Sequence, residues 1–284
     1  MKNLNPPKML PNQIYSDLME NAKSEIKKTR LEQLQPYVFE RYNLYLASKL
    51  RLESMSESAI IEEEDKTILE SCYNRNKDGY LEGAVVAKII ELQSIQHQNV
   101  CPYCGIDRPR TIDHYLPKNE FPEFSVYPLN LIPCCQFCNG KKGKRWLKEG
   151  ERLFINYYHD SLPDVKYLYT NIEMSRLGVP KVTFRLENNN NIPSALFNII
   201  QNHYETLDLL REFSLNVASE ISAINDKIKH EKISIKSHKR SLQVDLNSLN
   251  RLFGRNFWKS SLLEALINCD AFFDSYTKKT EVKV

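Results

Sequence analysis

The sequence predicts an α+β protein that is mainly helical, with one short strand–loop–strand–helix element set into a helical body. Apolar residues recur at helical spacing over long stretches before residue 98 and after residue 191. Between them, a segment that begins and ends with a Cys-x-x-Cys pair alternates β-branched and aromatic residues, as a strand does. Four regions are therefore predicted: a helical N-terminal region, 1–98; the cysteine-bracketed element, 99–150; a connector containing a β-hairpin, 151–190; and a helical C-terminal region, 191–284.

The N-terminal region is predicted to consist of amphipathic helices. Residues 14–49 and 57–72 place charged residues between apolar ones at helical spacing and contain almost no glycine. Residues 74–79 are a polar break, and a further amphipathic helix over 81–95 leads to the first cysteine pair. The consecutive acids at 62–65 could suggest a metal site, but adjacent side chains on a helix point in different directions, which favours a solvated face.

The two cysteine pairs predict a structural zinc site. Cys101 and Cys104 form the first pair, and Cys135 and Cys138 form the second. Each pair closes a tight turn that presents two thiolates, and four thiolates saturate a tetrahedral Zn²⁺. Cys134 would make a Cys-x₃-Cys pair, a poorer turn, so the ligand is assigned to Cys135. The alternative of buried or disulfide-bonded cysteines does not explain two pairs at the same spacing.

Between and after the cysteine pairs, the pattern predicts the order strand, loop, strand, helix. Residues 111–115 form the first strand, which Pro117 ends. Residues 121–128, with prolines near both ends, form the loop, and a second short strand begins at 130–132. Residues 139–147 are then a basic helix. A zinc ion would join the start of this element, at the first cysteine pair, to the turn formed by the second pair.

These residues resemble the HNH endonucleases of the ββα-metal, or His-Me finger, class. The resemblance covers residues 101–144 and rests on the cysteine pairs, the Asp113-His114 dipeptide, Asn130, and Asn139 directly after the second pair. It implies that His114 is the general base and that Asp113 and Asn139 hold a catalytic Mg²⁺ or Mn²⁺. It also implies that Asn130 orients the His114 ring. Asn139 stands where the family name has its last histidine, a variant common in the family.

The chemistry of phosphodiester hydrolysis fits the same side chains. The reaction needs a base for the attacking water and a cation that stabilises charge on the phosphate. His114 can supply the base, and Asp113 and Asn139 offer the oxygen ligands that Mg²⁺ or Mn²⁺ prefers. The basic residues that follow could neutralise neighbouring phosphates: Lys141, Lys142, Lys144 and Arg145. Each of these lysines could instead belong to a solvated helix face, and Asn130 could be a turn residue.

The connector is predicted to contain a β-hairpin. Residues 166–174 and 180–187 alternate apolar and polar residues on either side of a turn at 175–178. His159-Asp160 has the dipeptide of the cysteine-bracketed element in reverse order, but no metal ligand flanks it. We interpret that dipeptide as structural, with a supporting role at the site or a contact with DNA as the alternative.

The C-terminal region is predicted to be a long amphipathic helix or helix pair over 195–229, followed by a basic segment. Residues 227–259 contain nine basic residues but only two acidic ones, Glu231 and Asp245. Such a segment is typical of a surface that follows a nucleic-acid backbone, but solvated helix faces explain it equally well. The basic residues are Lys227, Lys229, Lys232, Lys236, Lys239, Arg240, Arg251, Arg255 and Lys259.

Composition limits the classes of protein. The formal net charge is only +3, so contact with nucleic acid is expected from local patches rather than from the whole surface. After four zinc ligands, Cys72, Cys134 and Cys269 remain, most simply as thiols in a reducing cytosol. The sequence has neither a signal-peptide pattern nor an apolar run long enough for a bilayer, so a cytoplasmic protein without membrane contact is expected. The sequence does not predict the oligomeric state.

The expected function is that of a metal-dependent endonuclease acting on nucleic acid, most simply DNA. The helical region before the first cysteine pair also resembles the HNH nuclease subunit of bacterial anti-phage systems of the Septu type. That resemblance implies a role in antiviral defence and an ATPase partner, which must be a separate chain because this one has no phosphate-binding loop. The alternatives are an RNA-cleaving toxin and a non-catalytic zinc module that docks nucleic acid or protein. The latter leaves Asp113-His114 and the two asparagines unexplained.

Overall fold

A computed structural model describes residues 2–75, 79–231 and 233–277 and confirms the mainly helical α+β fold. The chain divides into two compact units, an N-terminal unit of Asn3–Ser161 and a C-terminal unit of Met1–Lys2 with Leu162–Val284. The division falls within the predicted connector. The finer partition of the chain into four regions stays a prediction.

The N-terminal unit begins with helices that pack around a row of aromatic side chains. The predicted stretch 14–49 forms two helices, because the chain leaves the helix at Asn21 and a new helix starts after the N-cap Ser24, whose Oγ accepts from Lys27 N at 3.3 Å. Residues 81–95 are predicted as one helix but begin with a π-helical segment, Leu81–Val86. The α-helices before the cysteine-bracketed element are α1, Pro11–Glu20; α2, Glu25–Ser48; α3, Glu63–Ser71; α4, Ala87–Glu91; and α5, Ile95–Asn99.

The long helix α2 supports the loop that connects the two strands of the element. The rings of Tyr42 and Tyr45 lie 4.5 and 4.8 Å from that of Tyr127, centroid to centroid. Beside them, Arg41 Nε and Glu123 Oε1 form a fully enclosed ion pair at 2.6 Å. Aromatic packing and a paired charge therefore fix residues 121–128 against α2.

The rest of the N-terminal unit is the cysteine-bracketed element and a small hairpin after it. Strand β1, Thr111–His114, and strand β2, Leu131–Cys134, are antiparallel, and helix α6, Gln136–Lys142, follows them. The short strands β3, Leu147–Lys148, and β4, Glu151–Arg152, then pair. Among the described residues, no helix is both long and apolar enough to cross a membrane.

The C-terminal unit packs helices on a β-hairpin, as the alternating pattern predicts. Strands β5, Leu168–Met174, and β6, Pro180–Leu186, are antiparallel, and their start is fixed by the buried Asn256, whose Oδ1 accepts from Tyr167 N at 2.8 Å and Leu168 N at 3.1 Å. The predicted helix pair is present, separated at Asp208 in the left-handed conformation. The helices are α7, Ser194–Leu207; α8, Leu209–His230; α9, Ile235–Phe253; α10, Trp258–Ile267; and α11, Asp270–Thr277.

Candidate active site and zinc centre

The ββα element is shaped by its register and by a cysteine cap. Thr111 pairs with Cys134 and His114 with Leu131, so the second cysteine pair follows directly after β2. Cys135 is the N-cap of α6, and its Sγ accepts from Cys138 N at 3.4 Å. Helix α6 therefore starts at Gln136, three residues before the predicted start, and ends at Gly143, whose φ of +54° suits glycine. Both the start and the end of α6 therefore lie earlier in the chain than the predicted helix over 139–147.

The four cysteines assigned to zinc lie together in the interior. Their sulfur atoms are all within 4.8 Å of one another, and the sulfurs of Cys104 and Cys135 are 3.8 Å apart. Zn–S bonds of about 2.3 Å in a tetrahedron require sulfurs about 3.8 Å apart. The cluster also receives backbone hydrogen bonds, from Cys135 N to Cys101 Sγ at 3.2 Å and from Ile106 N to Cys104 Sγ at 3.4 Å. The donor set and its dimensions fit a structural zinc ion.

The environment of the cluster favours a bound cation. Burial raises the pKa of the Cys101 thiol, because a thiolate without a counter-charge is poorly solvated there. A metal ion would supply the missing positive charge. Cys134 lies outside the cluster, with its Sγ 3.4 Å from Thr111 Oγ1.

His114 is held as a neutral imidazole with one nitrogen available. Its Nε2 lies 2.8 Å from Ser125 O, and because a carbonyl only accepts, the ring proton is on Nε2. The other nitrogen, Nδ1, is then the basic atom, and it makes no hydrogen bond within the part of the chain that the structure describes. Burial lowers the pKa of His114 to about 4, so the ring is neutral at physiological pH. The Tyr73 ring packs edge-on at 4.3 Å and fixes the other side of the imidazole.

Asn130 braces the loop through backbone atoms, and its predicted role in orienting the His114 ring stays a prediction. Its side chain is fully buried, and its Oδ1 accepts from Leu116 N at 2.8 Å. Its Nδ2 donates to Leu116 O at 3.0 Å and Phe124 O at 3.3 Å. Asn130 O also accepts from Tyr115 N at 2.9 Å, so Asn130 bonds both the backbone that directly follows His114 and the loop that precedes Ser125.

Asp113 and Lys142 form a buried ion pair. Lys142 Nζ lies 3.0 Å from Asp113 Oδ1 and donates to His114 O at 2.7 Å, and Asp113 Oδ2 accepts from Tyr103 OH at 2.7 Å. The Lys142 side chain is 0% exposed. The predicted contact of Lys142 with phosphate is therefore wrong for this structure, because the ammonium group faces the interior. Asp113, predicted as a metal ligand, is already engaged by two hydrogen-bond donors.

The remaining predicted residues lie at the surface of the element. Asn139 is half-buried, and its Nδ2 donates to Thr111 Oγ1 at 3.2 Å and Ile112 O at 3.4 Å. Its Oδ1 has no hydrogen-bond partner among the described residues. Lys141 is half-buried over the Phe137 ring, whereas Lys144 and Arg145 are exposed.

Sequence reasoning missed three residues that shape the site: Tyr73, Tyr103 and Ser125. Tyr103 lies inside the first cysteine pair, so the zinc turn aims it at Asp113. Ser125 contributes only its backbone carbonyl, for which no side-chain signal exists. Tyr73 comes from a segment far from the motif, and only the folded chain brings it to His114.

Two curated proteins are similar to this chain. Protein ea31 of Escherichia phage lambda is 28% identical over 195 residues, which cover 61% of this chain and 63% of that protein. Septu protein PtuB of Bacillus thuringiensis is 34% identical over 91 residues, which cover 31% of this chain and 34% of that protein. The chain thus spans less than two-thirds of the length of either relative. No family model matches the chain, and no solved structure matches it.

Proposed function

We propose that the N-terminal unit is a metal-dependent HNH-type endonuclease that hydrolyses phosphodiester bonds in nucleic acid, most simply DNA. The observation that carries the proposal is the state of His114. Its ring is neutral, its Nε2 proton is engaged by Ser125 O, and Nδ1 is left as an acceptor. A general base for water needs an unprotonated nitrogen that is free to accept, and Nδ1 meets this requirement.

In the proposed reaction, His114 Nδ1 takes a proton from water while the water oxygen forms a bond to phosphorus. The Ser125 carbonyl continues to accept from Nε2 and stabilises the imidazolium that results. The bond from phosphorus to the leaving oxygen then breaks, its electron pair stays on that oxygen, and solvent protonates the oxygen and takes up the proton of the imidazolium. A Mg²⁺ or Mn²⁺ held at this site would supply Lewis-acid stabilisation of the phosphate and the leaving oxygen. The exposed Lys144 and Arg145 would neutralise flanking phosphates.

The oxygens of Asn139 and Asp113 fit a hard cation. Asn139 Oδ1 has no hydrogen-bond partner among the described residues, and an amide oxygen is a ligand that Mg²⁺ accepts. A carboxylate has about four lone-pair sites, and Tyr103 and Lys142 use only part of those on Asp113. Lys142 would repel the cation, so we expect weak binding that phosphate oxygens of the substrate strengthen.

A plasmid-nicking assay with added Mg²⁺ or Mn²⁺ tests the proposal. His114→Ala should cut about a hundred- to ten-thousand-fold more slowly than the unmodified chain because the base is lost. His230→Ala is the matched control, since His230 is exposed on α8. Cleavage by His114→Ala at the unmodified rate would refute the assignment of the base. A zinc-loaded chain that cuts neither DNA nor RNA would favour the alternative of a docking module, and cleavage of RNA alone would favour the toxin.

We further propose that the chain acts in anti-phage defence beside an ATPase partner. The similarity to Septu protein PtuB supports this role, together with the resemblance of the chain's layout to Septu-type nuclease subunits. Expression of the native operon should lower phage plating, and His114→Ala should remove the protection. The purified chain should be weakly active, and cleavage should rise when the ATPase recovered from the native host is added. Full activity without any recovered partner would contradict the regulated-subunit model and leave the nuclease proposal standing.

A further inference from the structure

The outer face of helix α9 carries a row of cationic and amide side chains that the proposed reaction does not use. These side chains are separated by three or four residues, so they share one face of the helix, and all are exposed. At 1.5 Å per residue the row is about 22 Å long. We call it the basic stripe; its members are Lys236, Arg240, Gln243, Asn247 and Arg251.

The charge of the basic stripe is not compensated by acidic side chains among the described residues. Helix α9 contains four cationic side chains and one acid, Asp245, a net +3 that equals the formal charge of the whole chain. Asp245 lies on another side of the helix, where it lines a groove with Lys227 and Lys259. Lys239, beside the stripe, is paired with Asp270 at 2.6 Å. Within the described parts of the chain, no stripe cation forms an ion pair.

The position of one stripe cation opposes helix stability. Lys236 lies in the first turn of α9, where the positive end of the helix dipole favours acids, and this turn contains no acid. The N-cap Ser234 accepts a hydrogen bond from Ser237 N at 3.2 Å, but its hydroxyl group carries no negative charge. A cation at this place does not stabilise the helix, whereas an external anion would relieve the repulsion.

The chemistry of the side chains identifies the anion. Lysine and arginine neutralise phosphates, and glutamine and asparagine are frequent donors to phosphate oxygens. The stripe contains no aromatic ring for stacking unpaired bases, and the exposed Val244 beside it is far less apolar surface than a helix needs to insert into lipid. Lys232, which belongs to the same basic segment of the sequence, lies outside the described residues.

We infer that the basic stripe is a second nucleic-acid contact of this protein, which binds the phosphate backbone of double-stranded DNA without reading its sequence. The stripe belongs to the C-terminal unit, whereas the proposed catalytic residues belong to the N-terminal unit. Binding at the stripe is therefore expected whether or not the chain cleaves DNA. Its role would be to raise the affinity for any duplex, with a strong dependence on salt.

The test compares two double variants of the full chain, each of which removes two positive charges from the C-terminal unit. Lys236→Gln/Arg240→Gln changes the stripe, and Arg176→Gln/Lys181→Gln changes exposed residues of the β5–β6 hairpin. Binding to a labelled DNA duplex is measured by fluorescence anisotropy at several salt concentrations, without chelator and without added Mg²⁺ or Mn²⁺. These conditions keep zinc bound and need no cleavage.

The stripe variant should bind roughly tenfold or more weakly at 0.1 M salt, and its slope of log K against log[salt] should be shallower by about 1.8, or 0.9 per lost phosphate contact. Its melting temperature should be unchanged or slightly higher, because the helix dipole no longer opposes Lys236. The hairpin variant should keep most of the affinity. Equal losses in both variants, or unmodified binding by the stripe variant, would overturn the inference. Binding to anionic vesicles that depends on the stripe, with DNA binding unaffected, would overturn it in favour of a membrane surface.

Discussion

Replacement of Lys142 by Met should destabilise the N-terminal unit by about 3 kcal/mol. Both side chains of the ion pair are buried: Lys142 is 0% exposed and Asp113 is 3% exposed. Removal of one partner of such a pair typically costs 3–5 kcal/mol because the other charge remains buried. Tyr103 still donates to Asp113, which favours the lower end of the range. Met fills the space of the lysine stem, so the cost of a cavity is small.

Urea unfolding can measure this loss in one unit at a time. The chain has two tryptophans, Trp146 in the N-terminal unit and Trp258 in the C-terminal unit, so a Trp258→Phe background makes fluorescence report on the N-terminal unit. With a slope of about 1–3 kcal/mol per molar urea, a loss of 3 kcal/mol lowers the midpoint by about 1 M or more. The exposed neighbour Lys144→Met is the control and should change stability by less than about 0.5 kcal/mol.

The double variant Asp113→Asn/Lys142→Met separates charge from packing. An asparagine at position 113 carries no charge and can still accept from Tyr103, so the double variant should be more stable than the sum of the two single losses predicts. The coupling is expected to reach about 1–3 kcal/mol. Additive losses, or a Lys142→Met variant as stable as the control, would refute the reasoning that the lost stability comes from a buried, unpaired charge on Asp113.

Three further outcomes follow from individual contacts. Cys138→Ser should lower the zinc content in metal analysis and the thermal stability, whereas Cys134→Ser, the same change outside the cluster, should keep the zinc. Burial lowers the pKa of His159 to about 4, so stability is lost as pH falls from about 6.5 through that value, by at most about 3 kcal/mol. His159→Phe should flatten this pH dependence in urea titrations, and an unchanged dependence would contradict the assignment. Asn256→Ala leaves two buried amide protons without acceptors and should cost about 2–4 kcal/mol, measured by Trp258 fluorescence in a Trp146→Phe background.

The sequence predicted those parts of the site that depend on local spacing. The cysteine turns and the paired strands are short-range features, and the structure has them where the pattern indicates. The face on which Lys142 lies could not be predicted in the same way. Its ammonium group faces the interior because it contacts Asp113 Oδ1 at 3.0 Å and His114 O at 2.7 Å, both on β1. These partners come from another element, so the basic run around Lys142 does not indicate them.

The roles of Asn130 and Ser125 depend on tertiary contacts that no local pattern contains. The sequence indicates that Asn130 matters, but the partners of its amide are loop backbone atoms, so its effect on His114 is indirect. The Ser125 carbonyl is positioned by a loop that Tyr127 and Glu123 anchor on α2. These contacts join residues distant in sequence, and only the packed structure reveals them.

The position of the cysteine cluster has a consequence for how the element folds. A metal ion bound by Cys101 and Cys138 closes a loop that contains Asp113, His114 and Asn130. By analogy with a cross-link, closing a loop of this length removes about 4 kcal/mol of chain entropy from the unfolded state. Loss of the metal would therefore release Asp113, His114 and Asn130 together, and return of the metal would restore them together. On the proposed function, the supply of zinc would then set the fraction of molecules in which these proposed catalytic residues are assembled.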